Sequence, residues 1–456
     1  MMPKWFQLDR PISRGSYFIA GLLLFVLKHN LDRLIAIAYK RPWGVFSYLA
    51  PVQKAAHVSS LTPDEIRFLG ALLLTAIPFV AAGVWLTLRR LRTLGLPGWL
   101  VVAFFLPILN LLLFAYLSLM PARTPPVSTS GRPAILESFI PESALGSAAV
   151  SLLFTVPLGL AFLFLGTAVF AGYGWGLFVA IPFSVGMGAA LVFGFHKSRS
   201  LGGCIGVAVL ANLILGGVMI ASAIEGLLCL VMALPIALVL AVLGGLVGYA
   251  LQHRPRGREH APAMLALLLF LSPGVMTTEW FFPREAPLLR VVSSIEVNAP
   301  PERVWKHVVS FAELPPPEEA IFRAGVAYPI RAHIEGSGPG AIRYCEFSTG
   351  PFVEPIKIWD EPRLLQFSVS RNPRPMQEWS PYRHVEPMHL DGYLVSRQGQ
   401  FRLVALPGGR TLLEGTTWYQ HHLWPAGYWQ SWSDAIIHRI HLRVLRHVKA
   451  LSETAS

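Results

Sequence analysis

Long apolar stretches alternate with short charged or proline-rich connections over the first 280 residues of the chain. A helix needs ~20 apolar residues to cross the hydrocarbon core of a bilayer. We therefore predict seven or eight membrane-spanning helices, of which the first is weakened by Lys28, Asp32 and Arg33. The candidate spans are 16–38, 67–88, 98–120, 146–170, 175–195, 201–222, 226–250 and 261–276.

The pattern changes near residue 290, where apolar and polar positions begin to alternate. A short strand with Ile295 and Val297 runs into Pro300 and Pro301 and then into an amphipathic helix with Trp305. Proline suits the first turn of a helix, because the N–H that it lacks has no partner there. Alternation and turn signals predict six further strands, at 328–336, 340–349, 352–360, 363–371, 393–406 and 410–422. Two more helices are predicted, at 318–322 and 428–452.

The charge balance follows the same boundary. The chain has 456 residues, of which 53% are hydrophobic and 14% charged, and a net charge of +12. Residues 291–456 hold 17 Lys/Arg and 16 Asp/Glu, whereas the rest of the chain holds 21 and 10. A nearly neutral tail without a basic run argues against nucleic acid as a partner. We predict an N-terminal membrane domain of three spans (1–125), a second membrane region of four to five spans (140–278) and a ligand-binding domain (285–456).

Basic residues beside the spans bear on orientation, because Lys and Arg concentrate in cytoplasmic loops. Arg14 and the cluster at 89–92 favour a cytoplasmic N-terminus, and the arginines at 254–258 also favour the cytoplasm. Eight simple spans would place these clusters on opposite sides, so one span is miscounted or re-entrant. If the arginines at 254–258 decide, the C-terminal domain lies on the outer face.

Two stretches of the first region share motifs with a known family. They are "PISRGSYFIAGLLLF" (11–25) and "RRLRTLGLPGWLVVAFFLPILNLLLFAYLSLMP" (89–121). Over about 120 residues, the chain resembles the bacterial family called domain of unknown function 805. The resemblance implies a multi-pass protein of the bacterial inner membrane, and it implies no chemistry, since no activity is established for that family.

Three stretches of the second region carry another resemblance. They are "IEVNAPPERVWKHV" (295–308), "IWDEPRLLQFSV" (358–369) and "LPGGRTLLEGTTWY" (406–419). Over about 160 residues, the chain resembles the SRPBCC superfamily, which includes START lipid-transfer domains and polyketide cyclase/dehydrase-like proteins. The resemblance implies an α+β helix-grip domain, in which a curved antiparallel sheet wraps a long C-terminal helix and leaves an apolar cavity. A Pro- and aromatic-rich insertion at 373–391 departs from the pattern, and a loop of that length is usually a lid, a binding loop or disordered.

Candidate site residues follow from side-chain chemistry. Aromatic side chains bring large apolar areas to a cavity wall, and charged ones at its mouth orient a ligand. The candidates in the C-terminal domain are Tyr344, Glu346, Trp359, Arg402, Glu414, Trp418, Trp432 and His441. Glu225 is a further candidate, because an ionisable residue within membrane segments is by default a functional hypothesis. Its place between two spans also allows an interfacial position.

Metal and thiol chemistry receive little support from the sequence. His438 and His441 lie three residues apart on one helical face, but no His-Glu-x-x-His motif is present, so we predict no metal and no cofactor. Cys204, Cys229 and Cys345 fall in three separate segments, and we interpret them as free structural cysteines.

Three functional hypotheses remain open. The preferred one is a membrane-tethered protein that binds, senses or carries a lipid or an apolar small molecule in a helix-grip cavity. The second is a cyclase/dehydrase-like enzyme that acts on an apolar substrate through Glu346, Glu414 or an arginine. The third is a transporter that the soluble domain regulates.

Overall fold

The structure of the protein is a computed structural model that describes residues 11–48, 63–96, 98–105, 107–121, 140–170, 172–253, 257–382, 385 and 387–454. A bundle of helices is followed by a domain built on one antiparallel sheet. The bundle contains α1 (Arg14–Ala38), α2 (Pro63–Thr93), α3 (Pro107–Leu119), α4 (Ala144–Phe164), α5 (Ile181–Phe193), α6 (Leu201–Ala221), α7 (Leu227–Gln252) and α8 (Gly257–Phe281). Short π-helices, Leu165–Val169 and Gly176–Ala180, extend α4 and precede α5.

Five helical stretches in the described part of the chain are long and apolar enough to cross a membrane. They are Pro63–Thr93, Ala144–Val169, Gly176–Phe193, Leu201–Ala221 and Leu227–Gln252. The predicted seven or eight spans are therefore not confirmed. Helix α1 is not among the five, and its second half carries a Lys28–Asp32 ion pair. The last predicted span corresponds to α8, which packs on α5 through the hydroxyls of Ser184 and Ser272, 3.2 Å apart.

The predicted span 98–120 doubles back instead of crossing. Its first half is a 3-10 helix, Gly98–Phe105, and its second half is α3. The ring of Phe104 occupies the place that a side chain would take at Gly83, so the first half runs back along α2.

Arg90, which is completely buried near the end of α2, ties the end of this segment to the residues before α1. Its guanidinium donates to the carbonyl oxygens of Leu117 (Nε, 2.9 Å), Ile12 (Nη1, 2.9 Å) and Met120. The start of α1 and the end of α3 therefore lie at the same end of the bundle.

The start of α4 lies at that end too, because Val150 packs on the apolar cluster of Leu117. Arg199, in the connection before α6, donates to the carbonyl oxygen of Glu142 (2.7 Å) and to the hydroxyl of Ser147 (3.0 Å). We call this end, with Arg90, Lys197 and Arg199, the basic end. The opposite end, with connections 170–175 and 222–226, is the docking end, because the C-terminal domain packs there.

The C-terminal domain has the predicted element order. Its elements are β1 (Leu289–Val297), α9 (Pro301–Val309), α10 (Ala320–Arg323), β2 (Pro329–Glu335), β3 (Ile342–Phe347), β4 (Gly350–Asp360), β5 (Leu364–Ser368), β6 (Leu394–Leu406), β7 (Arg410–His421) and α11 (Ala426–Thr454). The sheet is antiparallel throughout, in the order β1-β7-β6-β5-β4-β3-β2. Gly408 and Gly409, with φ of 80° and 70°, form the turn between β6 and β7, a conformation that glycine adopts without steric cost.

Helix α11 contacts both edge strands, β1 and β2, so the sheet curls around it into a half-barrel. The interior between the sheet and the C-terminal half of α11 is filled. Trp305 and Val308 of α9 meet Leu365 and Leu413 of the sheet and Leu445 of α11 in one buried cluster. This arrangement is the helix-grip architecture that the sequence predicts.

Candidate functional site

A cavity of about 480 Å³ lies between the docking end of the bundle and the C-terminal domain. Its volume is within the range of small-molecule pockets, ~300–1,000 Å³. The bundle contributes apolar side chains of α5, α6 and α7, among them Ile181, Leu215, Met219 and Met232. The domain contributes the N-terminal half of α11 and the insertion, among them Met376, Leu390, Trp429, Ile436, Ile437 and Ile440. Neither part of the chain encloses this cavity alone.

One side of the cavity reaches the outside of the bundle between α6 and α7. Leu213, Val231 and Leu234 line the cavity and are also 46%, 50% and 38% exposed. Gly216 and Gly217 lie on the same stretch of α6, and a side chain at either would meet open space. Both helices are long and apolar enough to cross a membrane.

The insertion at 373–391 joins the domain to the bundle. Glu378 accepts hydrogen bonds from the backbone N–H groups of Leu228 (3.0 Å) and Cys229 (3.1 Å), and Leu227 N–H donates to the carbonyl of Trp379 (2.8 Å). The first N–H groups of a helix have no partner within it, and a carboxylate at that end is favourable. The insertion thus caps α7.

A polar cluster lies on the cavity wall where the insertion meets the bundle. The thiol of Cys229 is 2.7 Å from Nε2 of His389, and Nδ1 of the same ring is 3.5 Å from Oε2 of Glu225. The hydroxyl of Tyr173 donates to the other oxygen of Glu225 (3.3 Å), and its ring lies 5.2 Å from the imidazole. All four side chains line the cavity.

The cluster is shielded from water and incompletely hydrogen-bonded. The side chains of His389 and Glu225 are only 10% and 8% exposed. Within the described ranges, Oε2 of Glu225, Nδ1 of His389 and the indole nitrogen of Trp429 have no hydrogen-bond partner. An unsatisfied buried polar group costs about 1–3 kcal/mol, so such groups favour a polar ligand atom.

The donor types also raise the question of a metal ion. One ligand atom each from Glu225, Cys229 and His389 lie within 4.8 Å of one another. A metal needs its ligand atoms to converge on one point. Here the thiol and the carboxylate face opposite nitrogens of one ring, so the arrangement fits a proton relay better than a metal centre.

Among the residues predicted from the sequence, Glu225 lines this cavity. It lies in the connection between α6 and α7, and its side chain turns inward and is buried. The sequence therefore identified one member of the cluster. Cys229, the second member, was interpreted as a structural cysteine and was not predicted to line a cavity. From the sequence, Trp429 is one of several aromatic residues suited to a cavity wall, and His389 could only complete a metal site with His438 and His441. The contact of His389 with Cys229 was not predicted, although His389 lies in the insertion that departs from the helix-grip pattern.

Four predicted candidates lie on the outer face of the sheet. Successive side chains of a strand point to opposite faces of the sheet. Arg343 and Cys345, which alternate with Tyr344 and Glu346, are buried on the inner face, and so are Leu413 and Tyr419, which lie next to Glu414 and Trp418. Tyr344 stacks on His333 with ring centroids 5.1 Å apart, and Glu346 binds Arg331 (2.8 Å). The other two are Glu414 and Trp418.

Three further candidates either pack against other side chains or face solvent. Trp359 packs edge-on against Trp305 with ring centroids 5.7 Å apart, and Trp432 packs in the cluster of α11 and Met376. Arg402 is exposed. These three also lie outside the lining of the cavity.

His441 is held inside the grip. Its Nδ1 is 3.0 Å from the hydroxyl of Ser293 and its Nε2 is 2.8 Å from that of Thr417. Burial, and secondarily His438, lowers the pKa of His441 to about 4. The imidazole is therefore neutral at pH 7 and links α11 to β1 and β7.

Comparison with known proteins gives partial similarity only. No family model and no curated protein matches the chain, so the resemblance to domain of unknown function 805 is not supported. Among solved structures, the chain is similar to the Zhui aromatase/cyclase from Streptomyces sp. R1128, at 14% identity and a TM-score of 0.25, covering 37% of this chain and 94% of that one. Norcoclaurine synthase from Thalictrum flavum is similar at 12% identity and a TM-score of 0.25, and the match covers 37% of this chain and 97% of that one. Protein CV1439 from Chromobacterium violaceum is similar at 16% identity and a TM-score of 0.24, and the match covers 36% of this chain and 96% of that one.

Such low identities and TM-scores say nothing about what this chain binds. The strand order and the position of α11 themselves define a helix-grip domain that follows a bundle of apolar helices.

Proposed function

We propose that this protein binds a lipid or another amphipathic ligand in the cavity between its membrane helices and its helix-grip domain. The ligand's apolar chain lies between α6 and α7, and its polar end lies near Glu225, His389 and Trp429. The observation that carries the proposal is the shared wall: one cavity is lined by both the bundle and the domain.

The chemistry of the wall supports this assignment. Apolar side chains form most of the lining, and a few polar groups converge at the docking end, as in small-molecule sites generally. The opening at Leu213, Val231 and Leu234 gives an acyl chain a path from the bilayer that does not cross water. A carrier or sensor of membrane lipid needs such a path.

A cavity-filling variant tests the proposal. Gly216→Trp places a large side chain in the cavity, whereas Gly206→Trp places the same side chain on the same helix away from it, and neither glycine has a close neighbour. We expect the full-length protein in nanodiscs to bind the fluorescent fatty acid cis-parinaric acid. Gly216→Trp should weaken binding about tenfold, equivalent to ~1.4 kcal/mol. Equal affinity of both variants and the unchanged protein would refute the site.

The distribution of charge supports an orientation as part of this proposal. Arg90, Lys197 and Arg199 lie at the basic end, while connections 170–175 and 222–226 at the docking end hold no Lys or Arg. Lys40, Arg41 and Arg67 lie at the opposite ends of α1 and α2, where Arg41 pairs with Glu65. Because basic loops stay in the cytoplasm, the helix-grip domain then faces the outer side. Arg254 and Arg256 lie outside the described residues, and the doubled-back segment 98–120 removes the conflict between the other basic clusters.

Thiol labelling tests this orientation. The probe position must be exposed to the reagent. Ser337, in the turn after β2, is exposed, whereas Ser452 near the C-terminal end of α11 is completely buried and would not react. In a background with the native cysteines replaced by Ala, we expect a membrane-impermeant maleimide to label Ser337→Cys in intact spheroplasts. Gly202→Cys, at the basic end, should react only after lysis. The reverse pattern would place the domain in the cytoplasm.

A further inference from the structure

We propose that Cys229 is a nucleophile that accepts an acyl group from a long-chain ester or thioester, with His389 as its base and Glu225 as the positioning residue. The inference rests on the proposed function, because the acyl chain of the substrate would occupy the lipid cavity.

The geometry is that of an activated nucleophile. In such sites the nucleophile hydrogen-bonds to a base, and a third group orients that base. Here the Cys229 thiol lies 2.7 Å from Nε2 of His389, and the Glu225 carboxylate lies 3.5 Å from Nδ1 on the far side of the ring. Tyr173 holds the carboxylate from behind at 3.3 Å.

The contact between the carboxylate and the ring is not a complete hydrogen bond. Oε2 of Glu225 and Nδ1 of His389 face each other with no other partner in the part of the chain that the structure describes. If His389 takes the proton of the thiol, its contact with Glu225 becomes an ion pair. The cluster also joins two distant parts of the chain, since 160 residues separate Cys229 from His389.

The other cysteines provide an internal comparison. Cys345 is buried in the domain core between β-sheet and helix side chains. Cys204 is buried in the bundle near the side-chain amide of Gln252. Neither lines the cavity, whereas Cys229 does.

The reaction is an acyl transfer. His389 takes the proton of the thiol, and the sulfur forms a bond with the acyl carbonyl carbon. The bond from that carbon to the leaving oxygen or sulfur breaks, and His389 returns its proton to the leaving group. The products are S-acyl-Cys229 and an alcohol or thiol. Glu378 occupies the N–H groups of Leu228 and Cys229, which leaves the unpartnered indole N–H of Trp429 as a donor for an ester oxygen.

Acylation by p-nitrophenyl palmitate tests the proposal on the full-length protein in nanodiscs. We expect a burst of about one p-nitrophenolate per protein, and a palmitoyl adduct that neutral hydroxylamine removes, as acyl-enzyme chemistry predicts. Cys229→Ser should lack the hydroxylamine-labile adduct, whereas Cys204→Ser and Cys345→Ala should keep it. His389→Ala should acylate about 10²–10⁴-fold more slowly, the usual effect of losing a general base.

Glu225 is tested as a positioning residue through pH. Glu225→Gln should slow acylation and move its pH midpoint downward, because the imidazolium loses the neighbouring carboxylate. Glu225→Asp should restore the midpoint in part. An unchanged pH profile in both variants would remove Glu225 from the proposal.

Two results would overturn the assignment while the proposed function stands. The first is normal binding of cis-parinaric acid with no adduct on Cys229. The second is stoichiometric Zn²⁺ binding that requires both Cys229 and His389, again without an adduct, which would make the cluster a metal site. Absence of fatty-acid binding in the unchanged protein would instead contradict the proposed function itself.

Discussion

The two halves of α11 face very different surroundings. Its C-terminal half, with Val444 and Leu445, closes a filled core together with Trp305 of α9. Its N-terminal half, with Trp429 and Ile436, faces the cavity and the helix bundle, where Trp429 packs against Phe178 with ring centroids 4.7 Å apart. One end of the grip is thus packed, and the other end borders an open cavity.

Charged groups show the same contrast. In the filled half, the buried Arg343 pairs with Glu354. Its guanidinium carbon lies 5.5–5.6 Å from the ring centroids of Phe311, Phe367 and Phe401. Burial raises the pKa of Glu354, and the guanidinium partly offsets this. In the open half, by contrast, Glu225 and His389 meet without a complete hydrogen bond. Nη2 of Arg343 also lacks a hydrogen-bond partner among the described residues, so the two sites differ in the charge pairing of Arg343 with Glu354 rather than in complete hydrogen bonding.

Two tryptophan-to-alanine variants test the difference between the two halves of α11 most directly. Trp305→Ala should lower the free energy of unfolding by about 3–5 kcal/mol, because it empties a filled core. Trp429→Ala should cost less stability, since its ring already borders a cavity, and should weaken binding of cis-parinaric acid. Denaturation and ligand titration of both variants separate the two effects.

The control is the ligand affinity of the folded fraction of Trp305→Ala, which should equal that of the unchanged protein. Equal losses of stability and of affinity in both variants would mean that the two halves of α11 form one continuous core.

A smaller effect concerns His441, at the border between the two halves. Its folded-state pKa of about 4 lies below the ordinary value of 6.5, so its neutral form stabilises the fold at neutral pH. As the pH falls from 6.5 toward 4, unfolding becomes easier because the unfolded chain binds the proton more tightly. We expect a loss of about 2–3 kcal/mol over this window.

Comparison with His441→Gln isolates the contribution of this residue, since glutamine keeps hydrogen bonding without titrating. Thermal or urea unfolding between pH 7 and 4 should show a steeper decline for the unchanged protein than for the variant. Parallel declines would show that His441 is solvated in the native state.

The succession of strands along the chain and the long final helix could be predicted because they depend on local periodicity. Alternation marks a strand wherever it occurs, but it does not reveal which set of alternate residues faces inward. Arg343 and Glu346 lie on the same strand, and only the packed structure shows that Arg343 is buried and Glu346 lies outside. The predicted spans failed at 98–120, where apolar composition cannot distinguish a helix that crosses from a segment that turns back along α2.

The sequence by itself determined the apolar helices, the change in composition near residue 285 and the succession of strands along the chain, because each follows from the side chains of neighbouring residues. Only the tertiary structure decided the site. Glu225, Cys229 and His389 meet because the insertion caps α7 through Glu378, and that contact depends on how two domains dock. Docking depends on surface shape and on unpaired backbone groups at a helix end, which become defined only after both parts have folded.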